Sequence, residues 1–340
     1  MLIYLAYIKK HYRYSLIKAI KYECQSDAMK GKTMLVTGGA GFIGSHICEE
    51  LHEDNTVIIV DNLSSGRLEN VAPFLGDNVT LVTASIAERE RIAPYFEGVD
   101  YVFHEAAIAS VPQSVADPVS TNEVNVAGTL NVLLLARDAG VRKVVFASSS
   151  AVYGDTRQLP IDEERILRPL SPYAASKIMG EYYLTLFSEL YGLPTASLRY
   201  FNVYGPRQDP SSDYAAVIPK FIQSALAGTP PAIFGDGGQT RDFIYVKDVV
   251  AANVRAAESK ATGAFNIAGG EKTSVSELAE LIGACTGSRA APVHGPERVG
   301  DIRHSYASTD KARDTLGFLP RTLLSEGLEE TIAWYRALAQ

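Results

Sequence analysis

One turn constrains this chain more than any other feature. Thr37-Gly38-Gly39-Ala40-Gly41-Phe42-Ile43-Gly44 follows the apolar run Met34–Val36 and leads into a helical pattern. Both G-x-x-G-x-x-G, from Gly38, and G-x-G-x-x-G, from Gly39, can be read in it. Glycines at this spacing permit a tight turn, let the backbone approach a pyrophosphate, and let the helix pack closely on the strand. The helix N-terminus then offers free N–H donors to the phosphate charge. Asp61 stands 20 residues beyond Gly41, directly after the apolar run Thr56–Val60. A carboxylate there accepts hydrogen bonds from adenosine ribose hydroxyls and repels a 2′-phosphate. Clustered glycines alone are a weak signal, and an aspartate at a strand end can be a simple cap. Strand, glycines, helix, strand and acid in this order point instead to dinucleotide binding, with NAD favoured over NADP.

The rest of the pattern agrees. Short apolar runs alternate with helical periodicity from Thr33 onward, which predicts a parallel sheet covered by helices. The expected strands are Met34–Val36, Thr56–Val60, Val79–Val82, Tyr101–Phe103, Lys143–Ala147 and Thr195–Leu198. Helices are expected near Ile43–His52, Glu88–Phe96, Val119–Ala139 and Tyr173–Tyr191. The strands are rich in Val and Ile, as when both faces are buried. After Tyr200 the rhythm breaks into Gly- and Pro-containing segments, with helices expected at Ala216–Ala227, Val246–Ala257, Val275–Cys285 and Glu326–Arg336. The fold class is therefore α/β: a Rossmann-like, doubly wound parallel sheet with a smaller C-terminal α/β substrate domain. Residues 29–200, with a return near 240–268, are assigned to the NAD-binding domain. Residues 201–239 and 269–340 are assigned to the substrate domain.

Composition excludes several classes. The 340 residues are 46% hydrophobic and 21% charged, enough for a substantial core. No apolar stretch approaches the roughly 18 to 20 residues needed to span a bilayer. A net charge of −7 lacks the broad positive field of a nucleic-acid binder. Cys24, Cys48 and Cys285 are far apart, and the six histidines are scattered, so no metal site is expected. Odd, isolated cysteines fit a reducing cytoplasm. Residues 1–28 stand apart, with Lys9, Lys10, Arg13, Lys18 and Lys21 against only Glu23 and Asp27. Their order, apolar before basic, is the reverse of a secretory signal. They read as a dispensable extension or as sequence upstream of a start at Met29.

A second constellation carries chemistry. Ser171-Pro172-Tyr173-Ala174-Ala175-Ser176-Lys177 opens a helix with Pro172 in its first turn. Tyr173 and Lys177, four apart, share one face. A free tyrosine titrates near 10 and is a poor base at neutral pH. A nearby ammonium and a bound nicotinamide cation would both favour its phenolate. Upstream, Val144–Ala147 ends in Ser148-Ser149-Ser150, at the C-terminal end of a strand, where open α/β sheets bind ligands. A serine there can hydrogen-bond the oxygen whose proton the tyrosine removes. Alone, Tyr-x-x-x-Lys is more often an ordinary exposed helix pair. The glycine turn changes that balance.

With these motifs in hand, the chain resembles the extended short-chain dehydrogenase/reductase family, of the UDP-glucose/UDP-N-acetylglucosamine 4-epimerase type. The likeness runs from about Lys32 to the C-terminus. It includes residues 37–44, Asp61-Asn62-Leu63, Ser-Ser-Ser-Ala-Val-Tyr-Gly (148–154), residues 171–177, Leu-Arg-Tyr-Phe-Asn-Val-Tyr-Gly-Pro (198–206) and Arg-Asp-Phe-Ile-Tyr-Val (241–246). The resemblance implies a pyrophosphate turn of Gly38, Gly41, Phe42, Ile43 and Gly44. It implies adenosine-ribose contacts from Asp61, Asn62, Ser65 and Gly66, with Ser85 and Ile86 near the adenine. Ser85 replaces an aspartate common among relatives, and Ala109 stands where some epimerases carry lysine. Ala106, Ala107, Asn125, Tyr173, Lys177 and Phe201 fall where the family lines its NAD site. For catalysis the resemblance implies Tyr173, Lys177 and Ser149, the serine being chosen by its distance from Val152-Tyr153-Gly154. For the nucleotide sugar it implies Ser149, Ser150, Asn202, Val217, Arg241, Arg298, Asp301 and Ser305.

The family performs several reactions. Its dehydratases resemble one another in an Asp-Glu pair after the catalytic hydroxyl, and here Ser150-Ala151 stands there. The expected activity is C4 inversion of a UDP-hexose through a transient 4-keto sugar, with NAD kept bound. UDP-Glc/UDP-Gal and UDP-GlcNAc/UDP-GalNAc are the expected pairs. A UDP-glucuronate 4-epimerase or decarboxylase is the alternative within the family, and a non-catalytic NAD-binding sensor the alternative of another class. Relatives also pair two long helices between subunits, which implies a homodimer built on a four-helix bundle.

Overall fold

The computed structural model describes residues 29–210, 217–297 and 302–338. The expectations for residues 1–28, Arg298 and Asp301 lie outside the described residues. Seven strands form one parallel sheet in the order β11-β6-β5-β4-β1-β2-β3. They are β1 (Thr33–Thr37), β2 (Thr56–Asp61), β3 (Val79–Thr83), β4 (Tyr101–His104), β5 (Lys143–Ser149), β6 (Thr195–Tyr200) and β11 (Gly263–Ile267). β1 pairs with β2 on one side and with β4 on the other, so the winding reverses between β1 and β4. Such a reversal leaves a crevice at the strands' C-terminal ends.

Helices cover both faces. α1 (Phe42–Leu51) and α8 (Val246–Glu258) lie on one side, α5 (Thr129–Asp138) and α6 (Pro172–Tyr191) on the other. Each sheet face has its own apolar core. Val36, Ile59, Phe103 and Leu198 belong to the first, and Leu35, Val102, Val144 and Phe146 to the second. A third core gathers α7 (Val217–Leu226), α9 (Val275–Thr286) and α11 (Leu324–Leu338) beyond the sheet edge. Short parallel pairs join this region together: β7 (Asn202–Tyr204) with β10 (Phe243–Tyr245), and β8 (Ala232–Phe234) with β13 (Val293–Gly295). β9 (Thr240–Arg241) pairs antiparallel with β12 (Thr273–Ser274).

The structure departs from sequence expectation where short elements are decided by context. The helix expected at Glu88–Phe96 is α-helical only over α2 (Arg89–Ile92) and continues as a 3₁₀ turn through Phe96, with Pro94 in it. The helix expected at Val119–Ala139 is α4 (Pro118–Asn122), a π-helical stretch Glu123–Gly128, and then α5. α3 (Val111–Ala116) and α10 (Asp310–Leu316) have too few residues to establish a period in sequence. No described helix is long and apolar enough to cross a membrane.

Candidate active site

A cleft of about 490 Å³ opens at the C-terminal ends of β1, β2, β4 and β5. Gly38, Gly41, Phe42, Ile43 and Gly44 form one wall of it. Two glycines there are required by close approach. Gly38 has a φ of +67°, and a Cβ on it would lie 2.7 Å from the backbone nitrogen of Ala106. A Cβ on Gly44 would lie 2.2 Å from the carbonyl oxygen of Gly38. Gly44→Ala must therefore displace the turn's own backbone, and it is expected to weaken NAD binding at least about tenfold. Titration of the purified variant with NADH, followed by fluorescence, checks this; unchanged affinity would contradict the role of the turn.

Asp61 ends β2 and reaches back under the turn. Its Oδ2 accepts from the Ala40 N–H at 3.0 Å and its Oδ1 from the Leu63 N–H at 2.8 Å. Burial pushes its carboxyl up, and the two backbone donors oppose that shift. The carboxylate is thus held in place and keeps lone pairs for ribose hydroxyls. Asn62 and Ser65 line the cleft beside it, while Gly66 packs against the Asp61 carboxylate outside the lining. Ser85 and Ile86, after β3, line the same end.

Ala106 and Ala107 form the cleft wall after β4. Asn125 does not reach the cleft. It is buried behind this wall, where its side chain accepts from the Ile108 N–H at 2.8 Å and donates to the Ile108 carbonyl at 3.0 Å. Its amide also donates to Ser176 Oγ at 3.0 Å, so it braces the wall against α6. Phe201 is buried against the Tyr153 ring, below the cleft surface.

The catalytic set is assembled by β5 and α6. Ser171 caps α6, its hydroxyl accepting from the Ala174 N–H, and Ser114 Oγ accepts from the Tyr173 N–H at 3.1 Å. Tyr173 and Lys177 both line the cleft, and the Ser149 hydroxyl lies near enough to the Tyr173 phenol to favour its ionised form. Lys177 Nζ donates to the Ala147 carbonyl at 2.7 Å and lies 4.8 Å from the centre of the Phe146 ring. Burial lowers Lys177 to about 8, while Glu105 and Glu181 pull it upward. Burial pushes the Tyr173 phenol up, the nearby Ser149 hydroxyl opposes this, and Glu105 adds to it. The Lys177 ammonium also lies 5.8 Å from the centre of the Tyr173 ring, so it and the positive ring of an oxidised cofactor would both favour the phenolate.

Of the expected sugar contacts, Asn202, Arg241 and Ser305 meet on residues 240–242. Ser150 opens the 3₁₀ turn after β5. Asn202 Nδ2 donates to the Asp242 carbonyl at 3.2 Å, Arg241 Nη1 donates to the Thr240 carbonyl at 2.9 Å, and the Ser305 N–H donates to that same Thr240 carbonyl at 3.1 Å. Asp242 ties the segments together, its carboxylate accepting from the Gly270 and Ala307 N–H groups. Burial pushes Asp242 to about 7 despite those donors. Val217 begins α7. None of Ser149, Ser150, Asn202, Val217, Arg241 or Ser305 is part of the cleft lining itself.

Sequence reasoning missed Glu105, Tyr200, Arg67 and Asp209, all of which line the cleft. Arg67 Nη2 pairs with Asp209 Oδ2 at 2.7 Å, 142 positions away, a contact no local pattern announces. For Glu105 a signal existed: a carboxyl placed between Val102-Phe103-His104 and Ala106-Ala107, at the end of an apolar strand. No described group of His, Cys, Asp and Glu could hold a metal ion.

The chain is similar to known proteins in sequence and fold. The model of the NAD dependent epimerase/dehydratase family matches residues 34–268. A UDP-glucose 4-epimerase of Mycolicibacterium smegmatis is 42% identical over 311 residues, 90% of this chain and 99% of that protein. The solved UDP-N-acetylglucosamine 4-epimerase of Methanobrevibacter ruminantium M1, in complex with UDP-N-acetylmuramic acid, is 44% identical. It covers 91% of this chain and 99% of that one with a TM-score of 0.89. The UDP-glucose 4-epimerase of Thermotoga maritima, solved with UDP-glucose, is 42% identical, with 91% and 100% coverage and a TM-score of 0.86.

Proposed function

The chain belongs to the NAD dependent epimerase/dehydratase family, and from that premise we propose that it inverts C4 of UDP-hexoses. The cleft fits NAD: its glycine wall closes to within a Cβ of Ala106, and a fixed carboxylate waits at the end of β2. NAD, when bound, supplies a reversible two-electron acceptor for the C4 hydrogen. The placing of Tyr173 and Lys177 together on that cleft, with Ser149 at the end of β5 near the phenol, is the observation that carries the reading.

Tyr173 Oη takes the proton of the sugar 4-hydroxyl, and Ser149 holds that same oxygen in line. Lys177, fixed by the Ala147 carbonyl, keeps positive charge beside the phenol as it ionises. The resulting 4-keto sugar would turn over so that the C4 hydrogen is returned to its opposite face, while Tyr173 gives its proton back to O4. Ser150-Ala151 stands where the family's dehydratases carry an Asp-Glu pair to expel water, which disfavours dehydration. Arg241 provides a guanidinium for the diphosphate, and Ser150, Asn202 and Val217 the remaining sugar contacts. Incubation with a panel of UDP-hexoses, followed by separation of products, tests the proposal. Interconversion at C4 with no added NAD consumed is expected, and NAD binding without any interconversion would defeat it.

Sugar choice is assigned to Ser305, whose backbone is fixed on Thr240. A serine at this wall leaves room for an N-acetyl group that a tyrosine ring would fill. The enzyme is expected to interconvert UDP-GlcNAc with UDP-GalNAc as well as the plain hexoses. Ser305→Tyr should remove the N-acetylated activity at least about tenfold more than the plain one, by steric exclusion. Equal loss of both would show that another wall sets the limit.

A second copy of the chain covers the outer face of α6. Met179, Tyr182, Leu186 and Leu190 form one stripe at helical spacing, with Leu190 68% exposed, and Val115 and Val119 extend it from α3 and α4. The helical run from α4 through α5 packs on α6, so two copies would pair these two helices into a four-helix bundle. Light scattering at micromolar concentration should give twice the chain mass, and Leu190→Glu should halve it. A monomeric wild type ends the idea. Buried Cys48 and half-buried Cys285, both free, support a reducing cytoplasmic setting.

A further inference from the structure

Glu105 is the one acidic side chain on the cleft wall at the Tyr173 and Lys177 end, and the proposed chemistry does not use it. It follows β4, with its N–H donated to the Thr37 carbonyl at 3.1 Å, so the end of the sheet fixes its backbone. One carboxylate oxygen, Oε1, accepts from Tyr200 Oη at 3.0 Å. Tyr200 in turn accepts from Asn253 Nδ2 at 2.8 Å, and that same amide donates to the Val249 carbonyl at 2.9 Å. Tyr200 Oη also lies 3.1 Å from Asn253 Oδ1, so its single phenolic hydrogen has two acceptors, of which the Glu105 carboxylate is the nearer and the charged one. Asn253 is fully buried and Tyr200 is 7% exposed, so the chain of bonds rests on a rigid base formed by α8 and β6. Among the described residues Glu105 forms no ion pair, and its second oxygen accepts no hydrogen bond.

The carboxylate lies close enough to Lys177 and Tyr173 that its charge acts on both. Proton removal by Tyr173 requires the reactive ring of the dinucleotide at that same end of the cleft. Resting on the NAD-dependent reading above, we propose that Glu105 is a positioning residue for cofactor state: its carboxylate, aimed by Tyr200 and Asn253, favours the positively charged oxidised cofactor over the neutral reduced one. The physical reason is Coulombic. The two forms differ by one positive charge on the nicotinamide ring, and a fixed carboxylate in a desolvated wall distinguishes them without touching either directly. An enzyme that must begin each cycle with oxidised cofactor gains from such a bias, since it lowers the share of enzyme left in the reduced form. Burial lifts Glu105 to about 7, with Tyr200 and Lys177 opposing that rise, and a bound cationic ring would draw the group back toward its ionised form.

Glu105→Gln is nearly isosteric and keeps an oxygen to accept from Tyr200, so the fold is retained; the variant's melting temperature verifies this. The cofactor-free wild type and variant are titrated with NAD and with NADH, and the ratio of the two dissociation constants is compared. The ratio is expected to move about tenfold toward NADH in Glu105→Gln, chiefly through weaker NAD binding. An unchanged ratio, or equal weakening of both forms, overturns the proposal while leaving the NAD reading intact. Failure of the wild type to bind either form defeats the NAD reading itself. Tyr200→Phe, which keeps the carboxylate and removes its orienting bond, should shift the ratio in the same direction by a smaller factor; a shift toward NAD would contradict the stated geometry.

Discussion

Tyr173→Phe is expected to lower C4 epimerisation by about 10²- to 10⁴-fold, the range a positioned proton-transfer group contributes. The substitution removes one oxygen and leaves the ring where α6 holds it, because the helix start is fixed by Ser171, Pro172 and Ser114 rather than by the phenol. NAD affinity should change little, since the glycine wall and Asp61 lie on other elements. Lys177→Ala should behave differently. It removes the ammonium bonded to the Ala147 carbonyl and is expected to weaken cofactor binding as well as turnover. Steady-state rates with UDP-galactose, alongside NADH titrations, separate the two variants. Near-wild-type activity in Tyr173→Phe would remove this residue from the mechanism.

The largest stability effect is expected from Arg199→Met. Arg199 on β6 and Glu181 on α6 form a paired fork, Nε to Oε1 at 2.9 Å and Nη2 to Oε2 at 2.6 Å, with side chains 6% and 8% exposed. The same guanidinium donates through Nη1 to Tyr153 Oη at 2.8 Å, and Tyr153 donates to Asn266 Oδ1 on β11 at 2.6 Å. Ser148 Oγ donates to Glu181 Oε1 at 2.5 Å, one residue before Ser149. Removing the arginine leaves a buried carboxylate without its counter-charge, which costs about 3–5 kcal/mol. Replacing both partners by apolar residues avoids that penalty, so Arg199→Met with Glu181→Leu should recover much of the loss. Urea unfolding of the three proteins gives the comparison. A loss in Arg199→Met below about 1 kcal/mol would show that water or a neighbouring group takes the arginine's place. The network also runs beneath the catalytic strand, so the single variant should lose activity at temperatures where it remains folded.

The sequence by itself determined most of the parallel sheet, because β1, β2, β4 and β5 are largely apolar runs separated by helical patterns. It also determined the glycine turn and the Tyr173–Lys177 pair, whose spacing is set within a single local element. Those features are encoded over four to twenty residues, the range in which periodicity and turn chemistry act. The tertiary structure alone decided what those residues meet. Asn125 reads as a cleft residue in sequence, yet the π-helical stretch turns it inward to brace Ile108 and Ser176. Lys177 shares a helix face with Tyr173 in sequence, and only folding shows that its amine is anchored on the Ala147 carbonyl. Glu105 acquires its place only when β4 and β6 come to lie on either side of β5 and Tyr200 reaches it across 95 positions. Burial, charge coupling and hydrogen-bond direction depend on distances between segments far apart in the chain, and no local pattern of residues carries those distances.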